Sequence, residues 1–147
     1  VCNHSRTKKG YFYNMKIVFT NGCFDVLHRG HFELLKYAKA QGDYLIVGLN
    51  SDDSIKKLKG PSRPFFPVED RKFMLESCIY VDEVVIFEEL TPRNLIGEIE
   101  PNLIVKGGDY KKEKVVGHDL AEVVIFNYID GYSTTSILGE MNENICN

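Results

Sequence analysis

The chain has 147 residues, of which 44% are hydrophobic, and a formal net charge of −3 at pH 7. A chain of this length can bury enough apolar surface to fold as one domain without a disulfide or a structural metal. Its acidic balance, with a pI near 5.8, excludes nucleic-acid binding by bulk electrostatic attraction, because proteins that follow the phosphate backbone carry a clear basic excess.

The predicted domain begins at Met15. The residues before it show no clear period, whereas the first strand-like run follows Met15 directly. We expect an N-terminal extension over residues 1–14, one domain over residues 15–141 and a C-terminal tail over residues 142–147.

The composition also indicates a compartment. The chain has no apolar run of about eighteen residues, as a membrane-spanning helix needs, and no signal-type segment follows its first basic residues. Its four cysteines lie far apart and form no C-x-x-C pair, which is typical of neither a zinc site nor a secreted disulfide framework. We expect a cytoplasmic protein without a membrane segment.

Apolar, β-branched runs alternate with helical patterns along the chain. These runs predict strands, because strands that are covered on both faces are nearly continuous in apolar residues. The predicted strands occupy residues 16–20, 44–49, 83–87, 103–106 and 122–127.

Four segments predict helices. The first, HFELLKYAKAQ, places its apolar residues on one stripe and ends before Gly42. The second, VEDRKFMLESCI, follows Pro67 and has acidic residues in its first turn; the third, TPRNLIGEI, has Thr91 as its predicted N-cap and Pro92 as its first helical residue. The last, STTSILGEM, is short. Residues 110–121 lack a helical period and predict an irregular connection.

This alternation predicts an α/β fold with an open, mainly parallel five-stranded sheet, with helices on both faces and right-handed crossovers. Ligands of such a fold bind at the carboxyl ends of the strands, where loops from distant parts of the sequence meet.

The loop after the first strand carries His28 and His31 in the stretch TNGCFDVLHRGH. Gly30 leaves the backbone open to a ligand, and His31 is predicted to open the next helix, where free N–H groups and the dipole attract an anion. The two histidines could also be ordinary polar loop residues, or metal ligands with Asp25 as the only obvious local carboxylate. Nucleophilic catalysis by Cys23 is a further alternative, although no histidine with an orienting partner is indicated.

Three more loops at strand ends carry unusual residues. The second strand is followed by KKLKGPSRP, which is either a solvated basic loop or a loop that folds over a bound anion. The fourth is followed by KGGDY, where adjacent glycines permit a close ligand and Tyr110 offers a stacking face. The fifth is followed by DGYSTT, whose clustered hydroxyls at a helix start are typical of a phosphate cradle.

These motifs resemble a known family. The pattern Gly22-x-Phe24-Asp25-x-x-His28-x-Gly30-His31, together with Ser133-Thr134-Thr135, resembles the cytidylyltransferase-like branch of the nucleotidyltransferases. Within it, the combination of KGPSRPFFPVEDR, VKGGDY and DGYSTT is most similar to bacterial D-glycero-β-D-manno-heptose 1-phosphate adenylyltransferases, which make ADP-heptose from ATP and the sugar phosphate. The resemblance implies a Rossmann-like fold and a nucleotidyltransferase.

The resemblance also implies roles for individual residues. Mg²⁺ is expected to arrive with ATP, and no metal is expected on protein side chains alone. The expected substrates are ATP and a sugar phosphate, and the expected assembly is a homodimer. The sugar kinase is expected to be a separate protein. The expected catalytic residues are His28, His31 and Lys59; the nucleotide-binding residues are Cys23, Phe24, Asp25, Gly30, Lys106, Gly107, Asp109, Gly131, Ser133, Thr134 and Thr135; the substrate-binding residues are Lys57, Arg63 and Arg71.

Other activities stay open at this point. Glycerol-3-phosphate cytidylyltransferases are near relatives, but they usually carry an arginine before the Ser-Thr-Thr that this chain lacks. Class I aminoacyl-tRNA synthetases share a similar histidine signature on far longer chains. A nucleotide-binding module without catalysis is the third alternative.

Overall fold

The computed structural model describes residues 14–127, and these residues form five strands, four α-helices and one 3₁₀ turn. In chain order they are β1 (Ile17–Gly22), α1 (Arg29–Ala40), β2 (Tyr44–Asn50), α2 (Asp52–Lys59), α3 (Val68–Glu76), β3 (Glu83–Phe87), α4 (Arg93–Ile99), β4 (Leu103–Gly107), the 3₁₀ turn (Lys112–Lys114) and β5 (Glu122–Phe126).

The strands form one parallel sheet in the order β3-β2-β1-β4-β5. This order confirms the predicted open, Rossmann-like sheet. The direction in which strands are added reverses between β1 and β4, and in open α/β sheets the crevice for ligands lies at that reversal.

Helices cover both faces of the sheet, as predicted. On one face α1 and α3 pack on alternate residues of the central strands; the buried cluster includes Leu34, Leu35, Ala38, Leu75, Val18, Val47 and Val105. On the other face α4 packs on the intervening residues; that cluster includes Leu95, Ile96, Phe19, Ile46, Ile104 and Val123. Period-two alternation within each strand therefore supplies two cores.

The structure corrects the prediction of a basic loop after β2, because residues 52–59 form α2. Ser51 caps this helix, and its Oγ accepts a hydrogen bond from the N–H of Ser54 at 3.1 Å. Acidic residues occupy the first turn and lysines the last, an arrangement that the helix dipole favours.

Two predicted helix starts also differ. Helix α1 begins at Arg29 with His28 as its N-cap, so His31 lies within the first turn instead of opening the helix. Helix α4 begins at Arg93 with Pro92, and not Thr91, as its N-cap. In both cases the carbonyl of the cap residue accepts a backbone hydrogen bond from the first helical turns.

Residues 110–121 are irregular except for the 3₁₀ turn, which confirms that prediction. The predicted last helix over residues 133–141, the tail over residues 142–147 and nearly all of the N-terminal extension lie outside the described residues. Across residues 14–127, no helix combines the length and the apolar character that crossing a membrane requires.

Gly42 follows the C-cap of α1 as predicted, but packing, and not a left-handed backbone, requires the glycine. A Cβ at this position would lie 2.6 Å from Cγ2 of Val18 and 2.7 Å from the carbonyl oxygen of Lys16. We expect Gly42→Ala to lower the free energy of unfolding by about 1–3 kcal/mol, the usual cost of overpacking.

Gly97→Ala in α4 is the matched control, because a Cβ there meets no atom within 4 Å beyond its chain neighbours and the backbone of its own helix. We expect this variant to gain about 0.5–1 kcal/mol from helix propensity. Urea titrations of both variants measure the difference. A Gly42→Ala variant as stable as the wild type would contradict the close packing of α1 against β1.

Candidate active site

A cavity of about 810 Å³ opens at the carboxyl ends of β1, β2 and β4, within the size range of small-molecule sites. It lies at the reversal in the strand order, as expected for this topology. Its lining comes from the end of β1 and the loop after it, the first half of α1, the end of β2, the end of α2, the loop after β3, and the end of β4 with the loop after it. Its lining includes Asn21, Gly22, Cys23, Phe24, Asp25, His31, Leu34, Asn50, Leu58, Lys59, Leu90, Thr91, Pro92, Lys106, Gly107, Gly108, Asp109, Tyr110 and Val116.

Backbone N–H groups at the start of α1 set the tautomers of the two histidines. The N–H of Gly30 donates to Nδ1 of His28 at 3.1 Å, and the N–H of His28 donates to Nδ1 of His31 at 3.2 Å. A neutral imidazole has one acceptor nitrogen and one N–H. Because Nδ1 is the acceptor in both rings, each ring carries its proton on Nε2. The two ring centroids are 3.9 Å apart.

Burial keeps these rings uncharged. It lowers the pKa of His31 to about 4, with smaller contributions from repulsion by His28 and Lys59. Burial also lowers the pKa of His28. Both imidazoles are therefore neutral at neutral pH, and the Nε2–H of His31, on the cavity lining, is a hydrogen-bond donor without charge.

Phe24 shapes the loop between β1 and the histidines. Its backbone has φ of 45°, in the left-handed region, which costs a residue with a side chain about 1 kcal/mol or more. The ring is buried and lies 5.4 Å from the ring of His31, centroid to centroid. Gly22 makes room for it, since a Cβ there would lie 3.1 Å from Cε2 of Phe24.

Asp25 is almost fully buried and anchors a neighbouring loop. Its carboxylate accepts hydrogen bonds from the N–H groups of Phe65 at 2.9 Å and Phe66 at 3.0 Å, and pairs with Nε of Arg63 at 3.1 Å. These partners account for its acceptor positions, so Asp25 orients the loop and is unsuited to act as a base.

The structure does not place the three predicted substrate-binding residues on the cavity lining. Arg63 is held in the ion pair with Asp25. Arg71 is fully buried, and its guanidinium donates to protein groups. Lys57 is exposed two residues before Lys59 in α2, and side chains at that spacing do not share a helix face.

Two lysines bring positive charge to the cavity of an otherwise acidic chain. Lys59 ends α2, and Lys106 lies near the end of β4. Burial lowers the pKa of Lys106, and its Nζ lies 5.2 Å from the ring centroid of Tyr110, a cation–π contact. Gly108 follows with φ of 111°, a backbone that side chains rarely adopt.

The alternatives for this site are weaker in the structure. Burial raises the pKa of the Cys23 thiol, more than Lys59 and Arg71 lower it, which disfavours the thiolate that a nucleophile needs. Within residues 14–127, no group of three or more His, Cys, Asp or Glu side chains could hold a metal ion, so no zinc site with the histidines is indicated there.

The loop after β3 is a part of the site that the sequence reasoning missed. Leu90, Thr91 and Pro92 line the cavity there, together with Leu58 from α2. The predicted topology already indicated this loop, because the loops that follow the strands of a parallel sheet all lie at the same edge. The polar strand ends Asn21 and Asn50 could have been found in the same way. Gly131, Ser133, Thr134 and Thr135 lie outside the described residues.

Comparisons with known proteins agree with this geometry. The sequence matches the family described as Cytidylyltransferase-like over residues 19–143. It is similar to two proteins called Bifunctional protein HldE. The one from Aliarcobacter butzleri is 54% identical over 130 residues, covering 88% of this chain and 27% of that protein. The one from Helicobacter pylori is 52% identical over 133 residues, covering 90% of this chain and 29% of that protein. The chain thus spans 27–29% of these curated relatives.

Solved structures share the fold. A lipopolysaccharide core biosynthesis protein from Thermoplasma volcanium superposes with a TM-score of 0.67 and 28% identity, covering 79% of this chain and 99% of that one. A pantothenate synthetase from Thermus thermophilus has a TM-score of 0.55 and 19% identity, covering 78% of this chain and 56% of that one. The second likeness shows the fold alone.

The capping bonds predict how His31 titrates. We expect its imidazole to stay neutral, with the proton on Nε2, at about pH 6, where a free imidazole is largely protonated. Its pKa near 4 lies below the unfolded value of 6.5, so the unfolded chain binds more protons between these values. This group therefore lowers the free energy of unfolding as the pH falls from 6.5 towards 4.

Ring ¹⁵N and ¹³C shifts of the ligand-free protein, followed by NMR across this pH range, measure both properties. His31→Gln supplies the assignment by removing one set of signals. A midpoint close to that of free imidazole, or a proton on Nδ1, would contradict the capping arrangement.

Proposed function

This chain belongs to the cytidylyltransferase-like family, and from that premise we propose that it transfers AMP from ATP to a sugar 1-phosphate, giving an ADP-sugar and pyrophosphate. The proposed acceptor is D-glycero-β-D-manno-heptose 1-phosphate. The observation that carries the proposal is the convergence of His31, Lys59 and Lys106 on one cavity at the strand reversal. The choice of this acceptor is supported by the sequence motifs and by the identity of 52–54% to proteins called Bifunctional protein HldE.

The chemistry requires no general base from the protein. A sugar 1-phosphate is an anion at neutral pH, so its oxygen can attack the α-phosphorus of ATP directly. The new P–O bond forms as the bond from the α-phosphorus to the bridging oxygen breaks, and pyrophosphate leaves with that electron pair. Asp25 is already bonded to Arg63, Phe65 and Phe66. This fits a scheme without a general base, in which the protein only aligns the reactants and stabilises charge.

Different residues of the cavity contribute to alignment and to charge stabilisation. His31 donates an Nε2–H bond to phosphate oxygens, with His28 beside it as the N-cap of α1. Lys59 neutralises charge on the phosphates as they react. Lys106, Gly107 and Asp109 hold the nucleotide from the β4 side. Cys23 and Phe24 shape the loop beneath it, and Gly30 leaves the backbone at the start of α1 open to it. Gly131, Ser133, Thr134 and Thr135 remain the proposed cradle for the leaving pyrophosphate.

The residues of the cavity fit Mg²⁺ that arrives with the nucleotide. This ion keeps several waters and takes one or two carboxylates together with substrate phosphates, and Asp109 supplies a carboxylate on the lining. When bound, Mg²⁺ would neutralise phosphate charge. A homodimer, a separate sugar kinase and a cytoplasmic location stay predictions.

The base preference tests the proposal. We expect turnover with ATP to exceed turnover with CTP at least several-fold when heptose 1-phosphate is the acceptor. Pyrophosphate release is measured for the four nucleoside triphosphates with heptose 1-phosphate and with glycerol 3-phosphate. Preference for CTP with glycerol 3-phosphate would favour the cytidylyl activity instead, and binding of nucleotide without pyrophosphate release would favour a module without catalysis.

Lys59→Ala tests the proposed charge stabilisation. We expect kcat to fall by about 100-fold or more while the fold is kept, because the ammonium acts mainly on charge that develops in the transition state. Lys36→Ala removes an exposed ammonium from α1, away from the cavity lining, and should keep wild-type kcat. Steady-state kinetics and circular dichroism of both variants give the answer; an unchanged kcat in Lys59→Ala would make Lys59 a solvated surface residue.

A further inference from the structure

Arg71, in the first turns of α3, is the largest fully buried side chain of the described residues. Its guanidinium is held by four hydrogen bonds. Nε donates to the carbonyl of Phe66 at 3.0 Å, Nη1 donates to the carbonyls of Cys23 at 2.8 Å and Asn50 at 2.9 Å, and Nη2 donates to Oδ1 of Asp52 at 2.7 Å.

Three of these acceptors belong to different segments around the cavity. Cys23 lies in the loop that leads to the histidines, and it lines the cavity. Asn50 ends β2, and Asp52 begins α2, the helix that ends at Lys59. One rigid guanidinium therefore connects the histidine loop to the helix that carries the catalytic lysine.

The cost of this arrangement indicates a purpose beyond filling space. Removing a guanidinium from water costs several kcal/mol, and an apolar side chain of similar volume often stabilises a core as well or better. Asp52, with its side chain one-third exposed, is the carboxylate that pairs with Arg71, and three of the four acceptors are neutral carbonyls. A planar fork of donors suits acceptors in several fixed directions, which neither an ammonium nor an apolar group can match.

We propose that Arg71 is a positioning residue, which sets the position of Lys59 relative to the loop that leads to His28 and His31. This inference rests on the proposed function. It assigns Arg71 no contact with substrate. Its effect on the reaction passes through Lys59, because a displacement of about 1 Å at a reacting group can cost on the order of 100-fold in rate.

The test is a double-mutant cycle on the full chain with Arg71→Lys, Lys59→Ala and the double variant. Lysine keeps the charge but cannot reach all four acceptors. We expect Arg71→Lys to lower kcat by about 10- to 100-fold with the KM for ATP changed less than about threefold. The double variant should be no more than about threefold slower than Lys59→Ala alone, because the two residues act as a unit.

Lys72→Gln is the control. Lys72 follows Arg71 in α3, and its Nζ lies 3.9 Å from Oε1 of the exposed Glu76. It should keep wild-type kcat. A wild-type kcat in Arg71→Lys, or losses that multiply in the double variant, would overturn the positioning role and leave Arg71 as a residue of stability alone. Should Arg71→Lys fail to fold, Asp52→Asn replaces it in the same cycle, with the same expectation of losses that do not multiply.

A readout without turnover separates this inference from the proposed function. In Arg71→Lys, or Asp52→Asn, amide NMR shifts should change both in residues 22–25 and in residues 57–60, whereas Lys72→Gln should leave both segments unchanged. Changes in only one segment would overturn the link between the two. Absence of transfer by the wild-type protein would instead count against the proposed function.

Discussion

The peptide groups of Phe66 join two buried charges, and the shape of the cavity depends on this junction. The N–H of Phe66 donates to Asp25, and its carbonyl accepts from Arg71, both at 3.0 Å. Asp25 lies in the loop after β1, and Arg71 donates to Cys23 in that loop and to Asn50 at the end of β2. The segment that contains Phe66 therefore satisfies both a buried anion and a buried cation. Either charge alone would be costly, because a buried ion that loses its partners costs several kcal/mol.

The sheet could be predicted because its signal is local and repeated. Each strand is a nearly continuous apolar run, and the structure places all five within about two residues of the predicted bounds. Helix α2 was missed for a physical reason. Its lysines and the glycine after it resemble a solvated loop, whereas its signals are end effects: a serine cap, acidic residues at the start and basic residues at the end.

The site was predictable in part. The motif located the histidines and the loops at the strand ends, because parallel topology sends those loops to one edge. The motif could not distinguish the role of Lys59 from those of Arg63 and Arg71, because the sequence does not show whether a basic side chain faces a ligand or a buried carbonyl. Only tertiary contacts distinguish them: the first lines the cavity, while the other two are bound to protein groups.

Burial keeps both histidines neutral, so their role in the site differs from that of the lysines. Two imidazolium rings with centroids 3.9 Å apart, beside Lys59, would repel one another. The capping bonds avoid this repulsion, because an Nδ1 that accepts a hydrogen bond carries no proton. His31 then supplies a directional, uncharged N–H donor, whereas Lys59 and Lys106 supply the positive charge. A phosphate bound there meets donors whose orientation is set by the helix start itself, so little reorganisation is needed when its charge shifts during reaction.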